Sequence, residues 1–238
     1  MARILQGNPK FVNLGPLPID ESIPRRSVLW SVFFGLCLMV LLVSLAVVIA
    51  LNCTPLYAWD VRQLGLAEAS GLTEDTLLQN YRILIDYNNL WGARTLEFPD
   101  FAMSETGRIH FAEVRTIFLA FEIALPVSLV LVLIGVFLSH VWDDPRYLKW
   151  GGIFTLLLPV LLGIASAADF DRVFVAFHQL VFDNDYWIFD ARTDPIITVL
   201  PEEFFFHEAL LIFALAVLGA MVNLIAYGIR RRRLAKRR

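Results

Sequence analysis

Four apolar segments in this 238-residue sequence are each long enough to cross a bilayer as a helix, at about 27–51, 116–141, 151–168 and 209–229. A helix of about 17–25 apolar residues crosses the roughly 30 Å hydrocarbon core. Hydrophobic residues make up 58% of the chain and charged residues only 18%, which excludes an ordinary soluble domain. The sequence therefore predicts an all-α integral membrane protein, with residues 27–229 forming one domain of four transmembrane helices.

Lysine and arginine are distributed unevenly around these segments, and their positions predict the topology. Basic residues lie in the polar lead, 1–26, and in the basic tail, 230–238, whereas the two large connections, 52–115 and 169–208, are acidic. Because cytoplasmic flanks are enriched in Lys and Arg, we expect both termini in the cytoplasm and both large connections outside. The first segment is longer than a signal-peptide core and lacks a cleavage pattern, so we expect it to be retained.

The two outer connections have patterns that predict packed structure. In the first, apolar residues recur with helical spacing between Leu77 and Tyr87, behind Thr73 as a predicted N-cap. This pattern predicts an amphipathic helix that lies on, or dips into, the outer membrane interface. The second connection is so rich in aromatic residues that we do not expect it to remain in open water.

Three of the four histidines lie at one predicted depth, the outer ends of the apolar segments. His110 precedes the second segment, His178 follows the third and His207 precedes the fourth, whereas His140 lies at the cytoplasmic end of the second. Helical spacing places Glu113 one turn from His110 on the same side. A single interfacial histidine is commonly structural, but three among carboxylates favour a site for proton transfer.

Glu122 is an ionisable residue inside the second apolar segment. A charge at the centre of a membrane helix costs about 2.5–3.5 kcal/mol, so such a residue usually faces a partner or a wet cavity. Arg115 lies seven residues earlier on the same stripe and is the predicted partner, with Arg172 as an alternative. The pair would either hold the helices together or line a substrate cavity.

Several catalytic patterns are absent from the sequence. It contains no G-x-S-x-G, Walker, G-x-G-x-x-G, H-E-x-x-H or C-x-x-C motif, and its two cysteines, Cys37 and Cys53, are too far apart along one helix to form a disulfide. These absences argue against a serine hydrolase, an ATPase and a thiol oxidoreductase, and nothing indicates a nucleic-acid partner. Histidine and carboxylate chemistry at the depth of lipid headgroups remains, which suggests a lipid or lipidated substrate.

The second outer connection contains the string FHQLVFDNDYWIFDARTDPIITVLPEEFFF, which resembles the characteristic segment of the bacterial lipoprotein intramolecular transacylase family of four-span membrane proteins. The matching residues are Phe177, His178, Phe182, Asn184, Asp185, Trp187, Asp190, Thr193, Asp194, Ile197, Pro201, Glu202, Phe204 and Phe205. A shorter match, HFAEVR at 110–115, resembles the family's histidine segment before the second span, with Glu113 in place of an expected aspartate.

This resemblance implies transfer of the acyl chain on the second glycerol carbon of a diacylglyceryl-modified cysteine to the α-amino group of the same cysteine. We expect His178 to act as general base, His110 as its acid or orienting partner, and Asp185 or Glu113 to fix a tautomer. Asn184, Tyr186 or a backbone amide is the expected oxyanion donor, and Trp187, Arg115 and Glu122 are expected to support the site. The expected partners are a diacylglyceryl-modified lipoprotein N-terminus and membrane lipids, with no cofactor or metal, in the bacterial cytoplasmic membrane.

Two other functions are compatible with the sequence. His110, His178 and His207 with a carboxylate could hold zinc in an outward-facing membrane lipid hydrolase, although no metal-ligand spacing is present. A non-enzymatic envelope scaffold is the second alternative. Metal analysis and chelators separate the first from a transacylase, and loss of activity without unfolding in His178→Ala separates an enzyme from a scaffold.

Overall fold

The computed structural model describes residues 25–237, apart from the side chains of residues 25–27 and 158. Within this range the chain forms eight α-helices and one 3-10 helix, and no strand. They are α1 (Arg25–Leu51), α2 (Thr54–Gln63), α3 (Leu66–Ser70), α4 (Glu74–Asn88), α5 (Glu105–Val141), α6 (Arg146–Ala168), α7 (Phe170–Val181), the 3-10 helix Pro195–Val199 and α8 (Glu202–Ala235). The predicted all-helical class is confirmed, while most of the predicted polar lead, 1–26, lies outside the described residues.

Four of these helices, α1, α5, α6 and α8, are long and apolar enough to cross a membrane. Helix α1 lies at the centre of the bundle and packs against α5, α6 and α8, and α6 also packs against α8. Helix α5 packs mainly on α1, so it forms one side of the bundle. Both α5 and α8 begin well before the apolar segments that they contain, and their first turns therefore belong to the structure built by the two large connections.

The two large connections form one helical cap at the end of the bundle. We use "helical cap" for α2, α3, α4, the first turns of α5 and α8, and the 3-10 helix, whose buried residues share one apolar core. Tyr57 of α2 stacks on Tyr81 of α4 with ring centroids 4.0 Å apart, and Phe204 of α8 contacts both rings. This shared core holds the two connections together, although they are far apart in sequence.

Helix α4 is the predicted amphipathic helix, and Thr73 caps it by accepting a hydrogen bond from the Thr76 amide at 3.2 Å. Its apolar face does not meet lipid, however, because Leu77 and Tyr81 are only 0% and 3% exposed inside the core of the cap. The expectation that this face lies on the membrane is therefore wrong. Aromatic and aliphatic side chains of α2 and α8 cover it instead.

A second amphipathic helix, α7, was not predicted from the sequence. Asp169 ends α6 and caps α7, because its side chain accepts a hydrogen bond from the Arg172 amide at 3.1 Å. Helix α7 exposes Phe177 and Leu180 on one face and buries His178 on the other. Helix α7 therefore directs the His178 side chain towards the protein interior.

Candidate active site

His110 and His178 lie next to each other, with ring centroids 6.0 Å apart. His110 lies in the second turn of α5 and His178 in the last turn of α7, and their exposures are only 5% and 9%. The Phe182 ring contacts both imidazoles, with centroid distances of 4.8 Å to His110 and 5.6 Å to His178. The structure therefore brings together the two histidines that sequence reasoning selected, inside an aromatic enclosure.

The orientation of the His178 ring is fixed by its own helix. Its Nδ1 lies 2.7 Å from the Phe174 carbonyl oxygen. Because a carbonyl only accepts hydrogen bonds, Nδ1 donates, and in the neutral ring Nε2 keeps the lone pair. Burial lowers the pKa of His178, and the Phe174 hydrogen bond opposes this in part, so the neutral form is favoured.

Asp185 or Glu113 was expected to fix a histidine tautomer, and at His178 a backbone carbonyl holds Nδ1. Asp185 lies at the exposed surface of the loop after α7, where its backbone carbonyl accepts from the Ile188 amide at 3.1 Å. At His178, the Phe174 carbonyl therefore does what was expected of Asp185 or Glu113. The reason is that a histidine in a last helical turn can reach the carbonyl four residues earlier, which sequence spacing alone does not reveal.

Glu113 lies between His110 and Asn184 of the second large connection. Its Oε1 accepts a hydrogen bond from Asn184 Nδ2 at 2.8 Å, and its Oε2 lies 4.0 Å from His110 Nδ1. Asn184 in turn accepts from the Tyr186 amide at 3.0 Å. Asn184 is therefore tied to Glu113 through its amide nitrogen and to the Tyr186 backbone through its amide oxygen. An amide nitrogen carries two hydrogens, so the expected role of Asn184 as the oxyanion donor stays a prediction.

Three polar atoms of this site are buried and have no hydrogen-bond partner among residues 25–237. They are His110 Nδ1, Glu113 Oε2 and Trp187 Nε1. The Trp187 ring lies beside His178, with centroids 4.8 Å apart. Because buried polar groups nearly always find partners in folded proteins, this cluster of one imidazole, one carboxylate and one indole N–H indicates a place where a polar ligand binds.

Asp194 holds the beginning of α5 against the second connection. It is 2% exposed, and its carboxylate accepts from the Ser104 amide and from the Thr193 hydroxyl, each at 2.7 Å. A Cβ added at Gly107 would collide with this carboxylate, so the close approach requires glycine. Sequence reasoning matched Asp194 to the family segment but gave it no role, because its contact with α5 spans ninety residues.

Arg115 and Glu122 do not pair with each other in the described structure. Arg115 donates to the Ala93 carbonyl at 2.7 Å and lies 4.6 Å from the centroid of the Tyr87 ring, whereas Glu122 accepts from the Leu90 amide at 2.7 Å. The predicted Arg115–Glu122 ion pair is therefore wrong. Both side chains instead bind the backbone of the loop between α4 and α5. This backbone lies closer to each side chain than the two side chains lie to one another.

His207 belongs to a different cluster. Its Nδ1 lies 2.6 Å from Asp60 Oδ1, and its ring contacts Trp59 at 5.1 Å. Among the described residues, no three His, Cys, Asp or Glu side chains come together in an arrangement suited to a metal ion. The three-histidine ligand set of the zinc alternative is therefore not assembled here.

Comparison with known proteins agrees with this geometry. Residues 32–205 match the family model of the lipoprotein intramolecular transacylase Lit. Among solved structures, the chain is similar to the membrane-integral transacylase Lit from Bacillus cereus, with a TM-score of 0.85 and 29% identity over 89% of this chain and 98% of that one. A variant of that protein with one histidine replaced by alanine gives a TM-score of 0.78 and 29% identity, over 88% of this chain and 96% of that one.

An uncharacterized protein from Aquifex aeolicus (strain VF5) is 30% identical over 115 residues, which is 48% of this chain and 51% of the relative. The match thus spans about half the length of that curated relative. The family model, by contrast, extends from α1 to the start of α8 and includes both histidines of the candidate site. The resemblance seen in the second outer connection is confirmed, and the chain belongs to the lipoprotein intramolecular transacylase Lit family.

Proposed function

We propose that this protein moves the acyl chain from the second glycerol carbon of a diacylglyceryl-modified lipoprotein cysteine to the α-amino group of that cysteine. The product carries an amide-linked acyl chain and a free hydroxyl on the glycerol. The observation that carries the proposal is the buried pair of His110 and His178, 6.0 Å apart, with the tautomer of His178 fixed by the Phe174 carbonyl.

The first step is removal of a proton from the substrate. An α-amino group has a pKa of about 7.7–8.0, so at neutral pH most of it is protonated and not nucleophilic. His178 is suited to accept this proton at Nε2, because Nδ1 is held by Phe174 and burial favours the neutral ring. Glu113 Oε2, buried without a partner among the described residues, is suited to hold the ammonium group before transfer.

The amine then attacks the carbonyl carbon of the ester on the same residue. Amine and ester belong to one substrate, so correct orientation supplies an effective concentration of about 10⁵ M or more, and no enzyme nucleophile is needed. The oxyanion that forms on the ester carbonyl requires a donor. We assign this role to Trp187 Nε1, because it is buried beside His178 and has no acceptor among the described residues.

Collapse of the tetrahedral intermediate breaks the bond between the carbonyl carbon and the glyceryl oxygen. Burial and the neighbouring His178 lower the pKa of His110 to about 4, so its ring is neutral at the start. We assign His110 the transfer of the proton that the attacking nitrogen loses: it takes up this proton and gives it to the leaving glyceryl oxygen as general acid. Glu113, 4.0 Å from His110 Nδ1, stabilises the protonated imidazole, and Asn184 positions Glu113. Starting from the ammonium form, the nitrogen loses two protons. The proton that His178 takes before the attack is released to water, and the proton lost as the amide forms goes to the glyceryl oxygen, so the reaction balances without a cofactor.

The remaining expected site residues are assigned no contact with the reacting atoms. The Tyr186 amide positions Asn184, and Asp185 lies at the rim of the loop. Arg115 and Glu122 hold the α4–α5 loop, and we assign them no contact with the reacting atoms. We also propose that both termini lie in the cytoplasm and that the helical cap faces outward, where the lipoprotein N-terminus and the surrounding lipids meet the histidine pair.

The test uses the purified protein in vesicles with a synthetic diacylglyceryl lipopeptide. Substrate and product have the same mass, so fragmentation in the mass spectrometer must locate the acyl chain on nitrogen or on glycerol. Two substrates with differently labelled peptides and acyl chains are mixed in one vesicle population. We expect N-acylated product in which peptide and acyl labels stay together; exchange of labels between peptides would contradict an intramolecular transfer.

The variants His178→Gln and His110→Gln are expected to lower kcat by at least about 10²-fold, which is the usual contribution of a positioned acid or base. His140→Gln is the matched control, since His140 Nδ1 also lies 2.8 Å from the carbonyl four residues earlier, at the other end of α5. Both active-site variants should retain the wild-type circular dichroism spectrum. Full activity in both folded variants would reject the histidine pair as the catalytic site.

A further inference from the structure

The loop between α4 and α5 is held by hydrogen bonds to charged side chains of both helices. We call residues 89–93 the Trp91 loop. The Leu90 amide donates to Glu122 at 2.7 Å, the Ala93 amide donates to Asp86 at 3.0 Å, and the Ala93 carbonyl accepts from Arg115 at 2.7 Å. Charged side chains thus satisfy three backbone polar atoms of a five-residue irregular segment.

The backbone of this loop is also closed on itself. The Gly92 amide donates to the Asn89 carbonyl at 3.2 Å, and a Cβ added at Gly92 would overlap the Asp86 carbonyl. Only glycine permits this close approach. The result is a tight, rigid turn at the end of α4.

At the tip of this rigid turn, the Trp91 side chain is 93% exposed. Trp is the largest apolar side chain, and its exposure to water in a segment so firmly held is unfavourable. Glu122, Asp86 and Arg115 hold the backbone on both sides of Trp91, so the loop carries the indole at a fixed place on the surface. The indole is therefore available to a partner outside the chain.

The position of the loop identifies that partner. Asn89 and Asn52 exchange side-chain hydrogen bonds, and Asn52 directly follows the last residue of α1, which is one of the four spans. On α5, Glu122 is followed by Ile123, an outward-facing residue that is 52% exposed. The Trp91 loop thus lies on the lipid-facing side of the bundle, where the spans meet the helical cap.

We propose that the Trp91 loop is a lipid-docking element whose indole inserts at the boundary between headgroups and acyl chains, in the leaflet on the side of the helical cap. Irregular backbone is tolerated at membrane depth only where its polar groups are satisfied, and Glu122, Asp86 and Arg115 supply those partners. The indole suits this boundary because its ring is apolar and its N–H reaches polar headgroup atoms. Glu122 and Arg115 of α5, to which the reaction assigns no step, would thereby hold the lipid-docking loop in place.

The experiment measures the depth of Trp91 in the full-length protein reconstituted into phosphatidylcholine vesicles. The fluorescence of Trp91 is obtained as the difference between wild type and Trp91→Phe. It is measured in vesicles of lipid brominated near the glycerol, in vesicles of lipid brominated near the acyl terminus, and with acrylamide in the water. We expect the bromine near the glycerol to quench this difference several-fold more than the bromine near the terminus, and acrylamide to quench it weakly.

Loosening the loop provides a second readout. Glu122→Ala and Arg115→Gln remove its attachments, and each is expected to lower the fluorescence anisotropy of Trp91 and to raise its quenching by acrylamide. Trp142 is the matched control, because it is 46% exposed at the opposite end of α5 and its fluorescence should not respond to either variant.

Two results would overturn the proposal. Strong quenching of Trp91 by acrylamide without quenching by either brominated lipid would place the indole in water. Protection from all three quenchers would mean that a second copy of the chain, rather than lipid, covers it.

Discussion

At the scale of single residues, burial distinguishes His178 from the other histidine that has the same local geometry. His140 and His178 both place Nδ1 within hydrogen-bond distance of the carbonyl four residues earlier. His140 is exposed, whereas His178 is buried against Phe182, Trp187 and His110. A helix can therefore fix a histidine tautomer without outside help, and the enclosure around the ring makes the free nitrogen useful for catalysis.

The lowered pKa of His178 predicts the pH dependence of the reaction. Burial favours the neutral ring, so Nε2 remains a base at pH values below about 6.5, the value of an unperturbed histidine. We expect kcat to rise with pH through a midpoint below 6.5 and then to level off. A pH profile of kcat at saturating lipopeptide checks this, and a midpoint above 7 would contradict a buried neutral base.

The same shift affects stability. Because the folded state holds His178 neutral while the unfolded chain protonates it below about pH 6.5, its contribution to stability is constant above that pH and is lost as pH falls.

His207 is predicted to matter for stability and not for the chemistry. Burial raises the pKa of the Asp60 carboxyl, and the hydrogen bond from His207 opposes that shift. His207→Ala leaves this fully buried carboxyl without its partner and is expected to cost about 1–3 kcal/mol of unfolding free energy, with kcat nearly unchanged. Thermal unfolding measures the loss, and adding Asp60→Asn should recover part of it because an amide is cheaper to bury. A wild-type Tm in His207→Ala would show that the contact stabilises nothing.

At the scale of elements, the site depends on contacts between the two large connections. Helix α5 supplies His110 and Glu113, α7 supplies His178, and the following loop supplies Asn184 and Trp187. Asp194 fixes the first turn of α5 to the second connection. The shared core of the helical cap includes Phe111, next to His110 on α5, whereas α7 packs on α6 and its His178 meets His110 across the Phe182 ring.

Sequence patterns anticipated some of these elements and missed others for physical reasons. The cap of α4 was predictable because Thr73 and the following acidic residues act locally. Helix α7 was missed because Asp169 follows the third apolar segment directly, and its role as the N-cap of a separate helix depends on a local hydrogen bond to the Arg172 amide. The partners of Arg115 and Glu122 were missed because they are backbone atoms of a loop, which carry no signature in the sequence.

Because Arg115 and Glu122 hold the same loop, their substitutions should be coupled although their side chains do not touch. Glu122→Gln and Arg115→Gln each weaken one attachment and are expected to cost about 1 kcal/mol of unfolding free energy. Once either substitution loosens the loop, removing the second hydrogen bond destabilises the protein less. The double variant should therefore lose less unfolding free energy than the two single variants together. Denaturant unfolding of the four proteins in one detergent measures the coupling, and strict additivity would show that the two residues stabilise separate structures.

At the scale of the whole molecule, the described structure is divided into an apolar bundle and a helical cap built from both large connections. Helices α1, α5, α6 and α8 expose large apolar side chains along their lengths, as membrane-facing surfaces do. The cap buries its apolar residues in its own core, and the histidine pair lies where α5 and α7 meet its edge. A substrate with acyl chains and a peptide would contact both parts at once, which is the arrangement that a lipoprotein N-terminus requires.

The side of the membrane on which the cap lies is predicted from Lys and Arg alone, and it is testable with single cysteines. After Cys37→Ala and Cys53→Ala, exposed positions are replaced one at a time as Gln79→Cys, Ala191→Cys and Ala235→Cys. Because the tail after α8 is strongly basic and cytoplasmic flanks are enriched in Lys and Arg, an impermeant maleimide should label the first two in intact cells and the third only after lysis. Labelling of Ala235→Cys in intact cells, with protection of Gln79→Cys and Ala191→Cys, would reverse the orientation and place the histidine pair on the cytoplasmic side, where no diacylglyceryl-modified N-terminus emerging on the outer surface could reach it.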